Sequence, residues 1–176
     1  MTEIEIKILE VNKAAIHNAI LKYGGTYQGE TQLVDRFYDF PARSLSGEKK
    51  LIRLRQMDGQ KGQLTFKQPA KASSAFAKLM QEQESEVSNP QEIHLILLGI
   101  GLILVKENRK TRTEFSYQGA SIVIDDLQGT NQHVPPYLEI EAKTEEEIRQ
   151  ITQLLGYTSE DCLNWNTRQV LEHYQK

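Results

Sequence analysis

The segment Glu3-Ile4-Glu5-Ile6-Lys7-Ile8 alternates at period two, so a strand there carries three charges on one face and three isoleucines on the other. Asn12 to Tyr23 changes to helical spacing, with Ala15, Ile16, Ala19 and Ile20 on one side and Gly24-Gly25 as a left-handed stop. Three further strand-like runs follow, Gln32 to Tyr38, Leu51 to Met57 and Gln63 to Gln68, separated by Pro41, a Ser44-Leu45-Ser46-Gly47 stretch and Asp58-Gly59. They predict an antiparallel meander. Residues 71–77 read as a small, polar loop, and Lys78 to Val87 as a strand with Glu82, Glu84 and Glu86 on one face.

The second half repeats this order. Asn89-Pro90-Gln91-Glu92 starts a helix that stops near Gly99 or Gly101, because Asn caps, proline suits the first helical position and the acid opposes the dipole. Leu102 to Tyr117 and Ala120 to Asp126 are strand-like and joined at Gln118-Gly119. Leu138 to Lys143 alternates again, and Thr144-Glu145-Glu146-Glu147 is a capping box for a helix to Leu155. From about Ser159 to Tyr174, Leu163, Val170, Leu171 and Tyr174 recur at helical spacing and predict a last helix, with Cys162 near its start. No Pro/Gly/Ser linker divides the chain, so the expectation is one α+β domain over residues 1–176, with about eight strands and peripheral helices.

Composition narrows the functional classes. A chain of 176 residues with 39% hydrophobic residues can bury a core without disulfides, and one cysteine excludes both a disulfide framework and a cysteine zinc site. With 21 Lys plus Arg against 24 Asp plus Glu, the net charge of -3 supplies no global field for nucleic acid or an anionic membrane. The longest nearly apolar run, Ile93 to Val105, is too short to span a bilayer, and the acidic first ten residues do not read as a signal peptide. The expected location is the cytoplasm. His17, His94, His133 and His173 share no ligand spacing, and there is no Walker A loop or dinucleotide fingerprint. Trp165, Tyr174 and the last apolar stripe are expected to pack on the sheet, with a homodimer surface as the alternative; Cys162 reads as a packing residue.

The distribution of charge by strand is the feature that carries chemistry. Glu3-Ile4-Glu5-Ile6-Lys7 and Glu139-Ile140-Glu141-Ala142-Lys143 match at four of five positions. Between them stand Arg53 and Arg55, Thr65 and Lys67, Glu82, Glu84 and Glu86, Lys110 and Arg112, and Asp125, mostly two apart and segregated by sign. A solvated sheet face usually mixes small polar residues with charges. If this sheet closes with its charged faces inward, acids can hold divalent cations through oxygen while bases cradle a polyanion. Such an interior cannot persist dry and unpaired.

These residues resemble the CYTH superfamily, which comprises class IV adenylyl cyclases, thiamine triphosphatases and other triphosphate tunnel metalloenzymes. The opening EIEIK is similar to the family's ExExK signature, Asp35-Arg36-Phe37-Tyr38-Asp39 to its DxYYD turn, and Arg53-Leu54-Arg55 to its RLR strand. Lys67 resembles the central lysine, Lys110 and Arg112 the KxR strand, Asp125 a strand-ending aspartate, and Leu138 to Lys143 the late EIE strand. The resemblance implies an eight-stranded antiparallel β-barrel, a tunnel that takes a triphosphate. It implies that Glu3, Glu5, Glu139 and Glu141 bind Mg²⁺ or Mn²⁺, helped by Asp125 and by Glu82 or Glu84. It further implies that Lys7, Arg53, Arg55, Lys67, Lys110 and Arg112 hold phosphate oxygens, with Lys7, Arg55 and Lys67 catalytic.

Two departures bear on the reaction. Cyclases of the family often carry His-Phe shortly before ExExK, and only Met1-Thr2 precede Glu3; residues 129–136, including Pro135-Pro136, replace the usual short turn before the late EIE strand. The expected reaction is therefore metal-dependent hydrolysis of the terminal phosphate of a small-molecule triphosphate or nucleoside triphosphate. The alternatives are conversion of ATP to 3′,5′-cyclic AMP and pyrophosphate, and a nucleotide- or polyphosphate-binding module without turnover.

Overall fold

Alternation produces eight strands: β1 (Thr2–Ile8), β2 (Thr26–Asp39), β3 (Leu51–Met57), β4 (Lys61–Pro69), β5 (Lys78–Val87), β6 (Ile103–Tyr117), β7 (Ala120–Gln128) and β8 (Tyr137–Ala142). Five helices accompany them: α1 (Lys13–Lys22), α2 (Ser44–Gly47), α3 (Pro90–Gly99), α4 (Glu145–Leu154) and α5 (Thr167–Tyr174). The computed structural model describes residues 2–59, 61–71 and 74–175, and excludes the side chains of Thr2 and Glu3. Hydrogen-bonded neighbours run β1-β5-β4-β3-β2-β6-β7-β8 and close, so the expected eight-stranded antiparallel barrel is the fold. The chain forms two compact units, Met1–Thr2, Thr31–Lys71 and Met80–Lys110 in the first, and Glu3–Glu30, Ala72–Leu79 and Thr111–Lys176 in the second.

In the first unit, β2, β3, β4 and β5 pair antiparallel in sequence order. The apolar face of these strands packs under α3: Tyr38, Leu54, Leu97 and Leu102 are buried together, with Ile52, Leu64 and Ile93 against them. Asn89 caps α3 by accepting from Glu92 N, and Pro90 occupies the first turn where its missing N–H costs nothing. Pro90 sits so close to β4 that a Cβ on Gly62 would meet its Cγ at 2.6 Å, which explains the glycine. Asp39 is buried and accepts from the backbone N–H groups of Phe40, Leu45 and Ser46 and from Ser46 Oγ; it organises the single turn α2. The second aspartate of the DRFYD segment thus builds the turn.

In the second unit, β8 pairs antiparallel with β1 on one side and β7 on the other. Ile6, Ile8, Ile122, Ile124, Leu138 and Ile140 turn one face of these strands toward Ile16 and Ile20 of α1 and Ile148 and Ile151 of α4. The predicted Thr144-Glu147 capping box is formed, and Asn12, where the helical spacing begins, caps α1 by accepting from Ala15 N. With the apolar face covered by helices, the charged residues of β1, β7 and β8 occupy the opposite face of the sheet.

The last helix differs from expectation. α5 begins at Thr167, capped by the Asn166/Gln169 box, and not near Ser159. Leu163, which fits a helical stripe by spacing, instead exchanges backbone hydrogen bonds of 2.8 Å with Lys7. Cys162 therefore precedes the helix, with Sγ 3.7 Å from Thr152 Oγ1, and burial pushes its thiol pKa up. Trp165 and Tyr174 pack against Leu127, Val134, Tyr137, Val170 and Leu171, so residues 129–136 supply a core side chain, Val134, to the cluster that α5 covers. None of the described helices is long and apolar enough to cross a membrane.

Candidate functional site

Register decides which charges meet. In the second unit Glu5 lies directly opposite Glu141, and Lys7 opposite Glu139, on β1 and β8. Around them the side chains form a chain of alternating sign. Arg112 of β6 grips Asp125 of β7 with Nε and Nη2, both at 2.7 Å, and its Nη2 also donates to Glu139 at 2.9 Å. Lys7 Nζ stands 3.0 Å from Glu139 and 3.3 Å from Glu5, and Lys78 Nζ donates to the same Glu5 Oε1 at 2.7 Å. Asp125 is 0% and Lys7 2% exposed, so this is a buried network and not a solvated face.

Electrostatics follow from that burial. Burial works against the charge on Glu5, yet Lys7 and Lys78 overcome it and hold the carboxyl down to about 2. Burial likewise opposes charge on Lys7, and Glu139 and Glu5 reverse it, raising the ammonium pKa above its usual range. Arg112 is driven further up against burial by Asp125 and Glu139. Tyr137, fully buried and opposite Asp125 in the β7–β8 register, has its phenol kept un-ionised by burial and then by the charges of Asp125 and Glu139.

The first unit holds a second, separate set. Arg55 of β3 donates from Nε and Nη2 to the two carboxylate oxygens of Asp35 on β2, at 2.7 and 2.8 Å, because register sets Asp35 directly opposite Arg55. Lys110 Nζ lies 3.8 Å from Asp35. Burial raises the Asp35 pKa, but the hydrogen bonds and charge of Arg55, then Lys110, take it well below the carboxylate range. Arg53 donates to Thr65 Oγ1 at 3.1 Å and approaches Glu84 at 3.5 Å, while Lys67 pairs with Glu82 directly across β4 and β5.

Of the residues singled out in the sequence, Lys7, Glu5, Arg112, Asp125 and Glu139 join in the second unit's network. Glu141 joins it by register with Glu5. Arg53, Arg55, Lys67, Lys110, Glu82 and Glu84 fall in the first unit's set. Glu3 has its side chain outside the described residues. Glu82 is buried whereas Glu84 and Glu86 are exposed, so depth along β5 ranks acids that parity leaves equal. Asp35 and Lys78 were missed as site residues. The available signals were the position of Asp35 in an alternating strand and the shared parity of Lys78 with Glu82. His94 accepts or donates one hydrogen bond, 2.7 Å from the Tyr38 hydroxyl, and His17 packs between Tyr27 and Phe115.

Among the described residues no three His, Cys, Asp or Glu side chains assemble into a ready ion-binding set. The donor chemistry nevertheless suits a hard divalent cation. Two carboxylates directly opposite each other across β1 and β8 repel, and they require a cation between or beside them. Lysines meet that requirement in the structure, and oxygen donors of this type fit Mg²⁺ or Mn²⁺ equally well.

The pairs carry an acid-stability signature. Glu5 and Asp35 have folded pKa values below their unfolded ones, so their contribution is complete above about pH 4.5 and is lost as pH falls toward the folded values. Lys7 has the opposite sign, with stabilisation complete below about pH 10.5 and lost above it. Urea midpoints are expected to be level between these limits and to fall steeply below pH 4.5; a midpoint unchanged down to pH 3 would mean that the pairs do not form in solution.

The same fold recurs in known proteins. A 2.25 Å structure of a candidate adenylate cyclase from Vibrio parahaemolyticus superposes with TM-score 0.82 at 19% identity, covering 98% of each chain. The PH1012 protein of Pyrococcus horikoshii gives 0.78 at 20% identity, covering 96% of this chain and 98% of that one. A candidate adenylyl cyclase from Hippeastrum, described as having a dominant triphosphatase activity, gives 0.71 at 17% identity over 97% and 95%. At such identities the likeness is one of fold. A comparison with curated proteins gave no match. The CYTH domain family model matches residues 1–162, nearly the whole chain, and so the protein whose charged strands form these networks belongs to the CYTH domain family.

Proposed function

We propose that residues 1–176 act as one CYTH-type domain that binds a small-molecule triphosphate with a divalent cation and hydrolyses its terminal phosphate. The observation that carries this reading is the buried alternation of Asp125, Arg112, Glu139, Lys7 and Glu5, a set of fixed charges held ready for ligands of both signs. Membership of a family whose members bind triphosphates supports it. Glu5, Glu139 and Glu141 would hold the cation, with Asp125 in support and Glu3 from the same motif. That cation, Mg²⁺ or Mn²⁺, would supply charge neutralisation at the phosphate oxygens.

The chain's own residues do the rest. Lys7 and Arg112 already stand beside carboxylates, so phosphate oxygens that replace those partners meet cations whose positions are set by Glu5, Glu139 and Asp125. Arg53, Arg55, Lys67 and Lys110 form the phosphate-binding complement of the first unit. Arg55 keeps its guanidinium plane fixed by Asp35, which lowers the ordering cost of presenting its remaining N–H donors to a phosphoryl group. In hydrolysis, a water oxygen bonds to the γ-phosphorus as the bridging P–O bond breaks. Lys7 stabilises the negative charge that gathers on the phosphoryl and leaving oxygens, and Arg55 and Lys67 are the first unit's candidates for the same role.

The test is a product assay on inorganic triphosphate, ATP and thiamine triphosphate with Mg²⁺ or Mn²⁺ from neutral to alkaline pH. Orthophosphate is the expected product, and its release should vanish in Glu141→Gln. Cyclic AMP with pyrophosphate would replace hydrolysis by cyclisation, and no product from any substrate would leave a binding module.

A further inference from the structure

Lys78 belongs to none of the charged motifs, yet its ammonium lies closer to Glu5 than that of Lys7 does, at 2.7 against 3.3 Å on the same Oε1. It is the first residue of β5 and ends the chain of alternating charges, with its side chain 21% exposed against 2% for Lys7. Glu5 faces Glu141 directly in the β1–β8 register, an opposition of like charges that a cation beside Glu5 relieves.

We propose that Lys78 is a tethered stand-in for the divalent cation, a built-in competitor that occupies Glu5 in the metal-free protein and must leave it before Glu5 can ligate a metal. The inference rests on the metal-binding reading of Glu5 given above. An ammonium and a metal ion cannot share the lone pairs of one carboxylate oxygen at full strength, so each lowers the other's affinity reciprocally. Lys7 is the poorer candidate for displacement. It is buried and also held by Glu139 at 3.0 Å, whereas Lys78 has a long stem, partial exposure and the end position in the network. The device offsets the repulsion between the two opposed carboxylates. It also sets a threshold concentration of cation for loading.

The experiment titrates the full chain with Mn²⁺ alone, without any triphosphate, and follows binding by calorimetry and by the electron paramagnetic resonance of free Mn²⁺. Lys78→Met keeps the stem and removes the charge; it is expected to bind Mn²⁺ about tenfold more tightly than the unsubstituted protein, which corresponds to about 1.4 kcal/mol. Lys78→Arg should restore the weaker binding. The gain should disappear in Glu5→Gln/Lys78→Met, because the competition acts through that carboxylate. Equal affinity of the unsubstituted protein and Lys78→Met, or a gain that survives Glu5→Gln, overturns the stand-in role while leaving the metal reading intact. Absence of Mn²⁺ binding in both proteins overturns the metal reading and this inference with it. Circular dichroism and Tm establish that each variant is folded, and Lys78→Gln provides a second neutral variant should Lys78→Met fail that check.

Discussion

Arg112→Leu is expected to lower the free energy of unfolding at pH 7 by about 3–5 kcal/mol, the cost typical of leaving a buried carboxylate without its partner. Asp125 is 0% exposed and meets the Arg112 fork through both oxygens, and Glu139 accepts from the same guanidinium. Removing the arginine leaves two neighbouring carboxylates with less positive charge than they were built around. A test that separates this from lost packing is the pH dependence. The orphaned Asp125 would take up a proton more readily in the variant, so the deficit relative to the parent should shrink between pH 7 and pH 4.5, a range in which the parent's own pairs are intact. Replacing both partners, Arg112→Leu with Asp125→Leu, should recover part of the loss, because two apolar groups need no charge partner. A deficit below about 1 kcal/mol that does not vary with pH would show that the buried pair is not what holds β6 and β7 in this arrangement.

Alternation located all eight strands, since a period-two pattern is a local property, and Asn89 and Thr144 were legible as caps because the capping groups lie within four residues of each other. Segregation of sign by strand, together with the motif order, picked out eleven charged residues whose side chains pair within the two networks. Pairing across strands was not legible. Which cation faces Asp35 depends on the register of β2 on β3, and that register is fixed by the turn Asp39 builds around α2. Lys78 meets Glu5 across 73 residues of sequence separation; its parity with Glu82 gives its face of β5, but nothing local gives its partner. The start of α5 was missed for a different reason. Leu163 satisfied the helical stripe by chance of spacing, while the extended backbone over it gained two hydrogen bonds with Lys7; the Asn166-x-x-Gln169 box was the better signal.

Arg55→Ala is expected to reduce kcat/KM for the triphosphate by a factor of about 10²–10³, the loss typical of a preorganised donor to a developing oxyanion. Two of its N–H directions are committed to Asp35, and this commitment holds the guanidinium plane still in a site where only 8% of the residue is exposed. Arg55→Lys should not restore activity, because a single ammonium cannot keep a two-point contact with Asp35 and still present a donor to phosphate. The stability cost should be smaller than for Arg112, since Lys110 stands 3.8 Å from Asp35 and can move in to neutralise it. Asp35→Asn separates the roles further: it leaves the arginine's charge but weakens its anchoring, so it should raise KM and lower kcat less than Arg55→Ala does. If Arg55→Ala and Asp35→Asn fall by the same factor in kcat with KM unchanged, the pair acts as one structural unit and the arginine is not a phosphate ligand. If Arg55→Ala leaves kcat/KM intact, the phosphate-binding role passes to Arg53, Lys67 and Lys110, whose cations share the first unit with it.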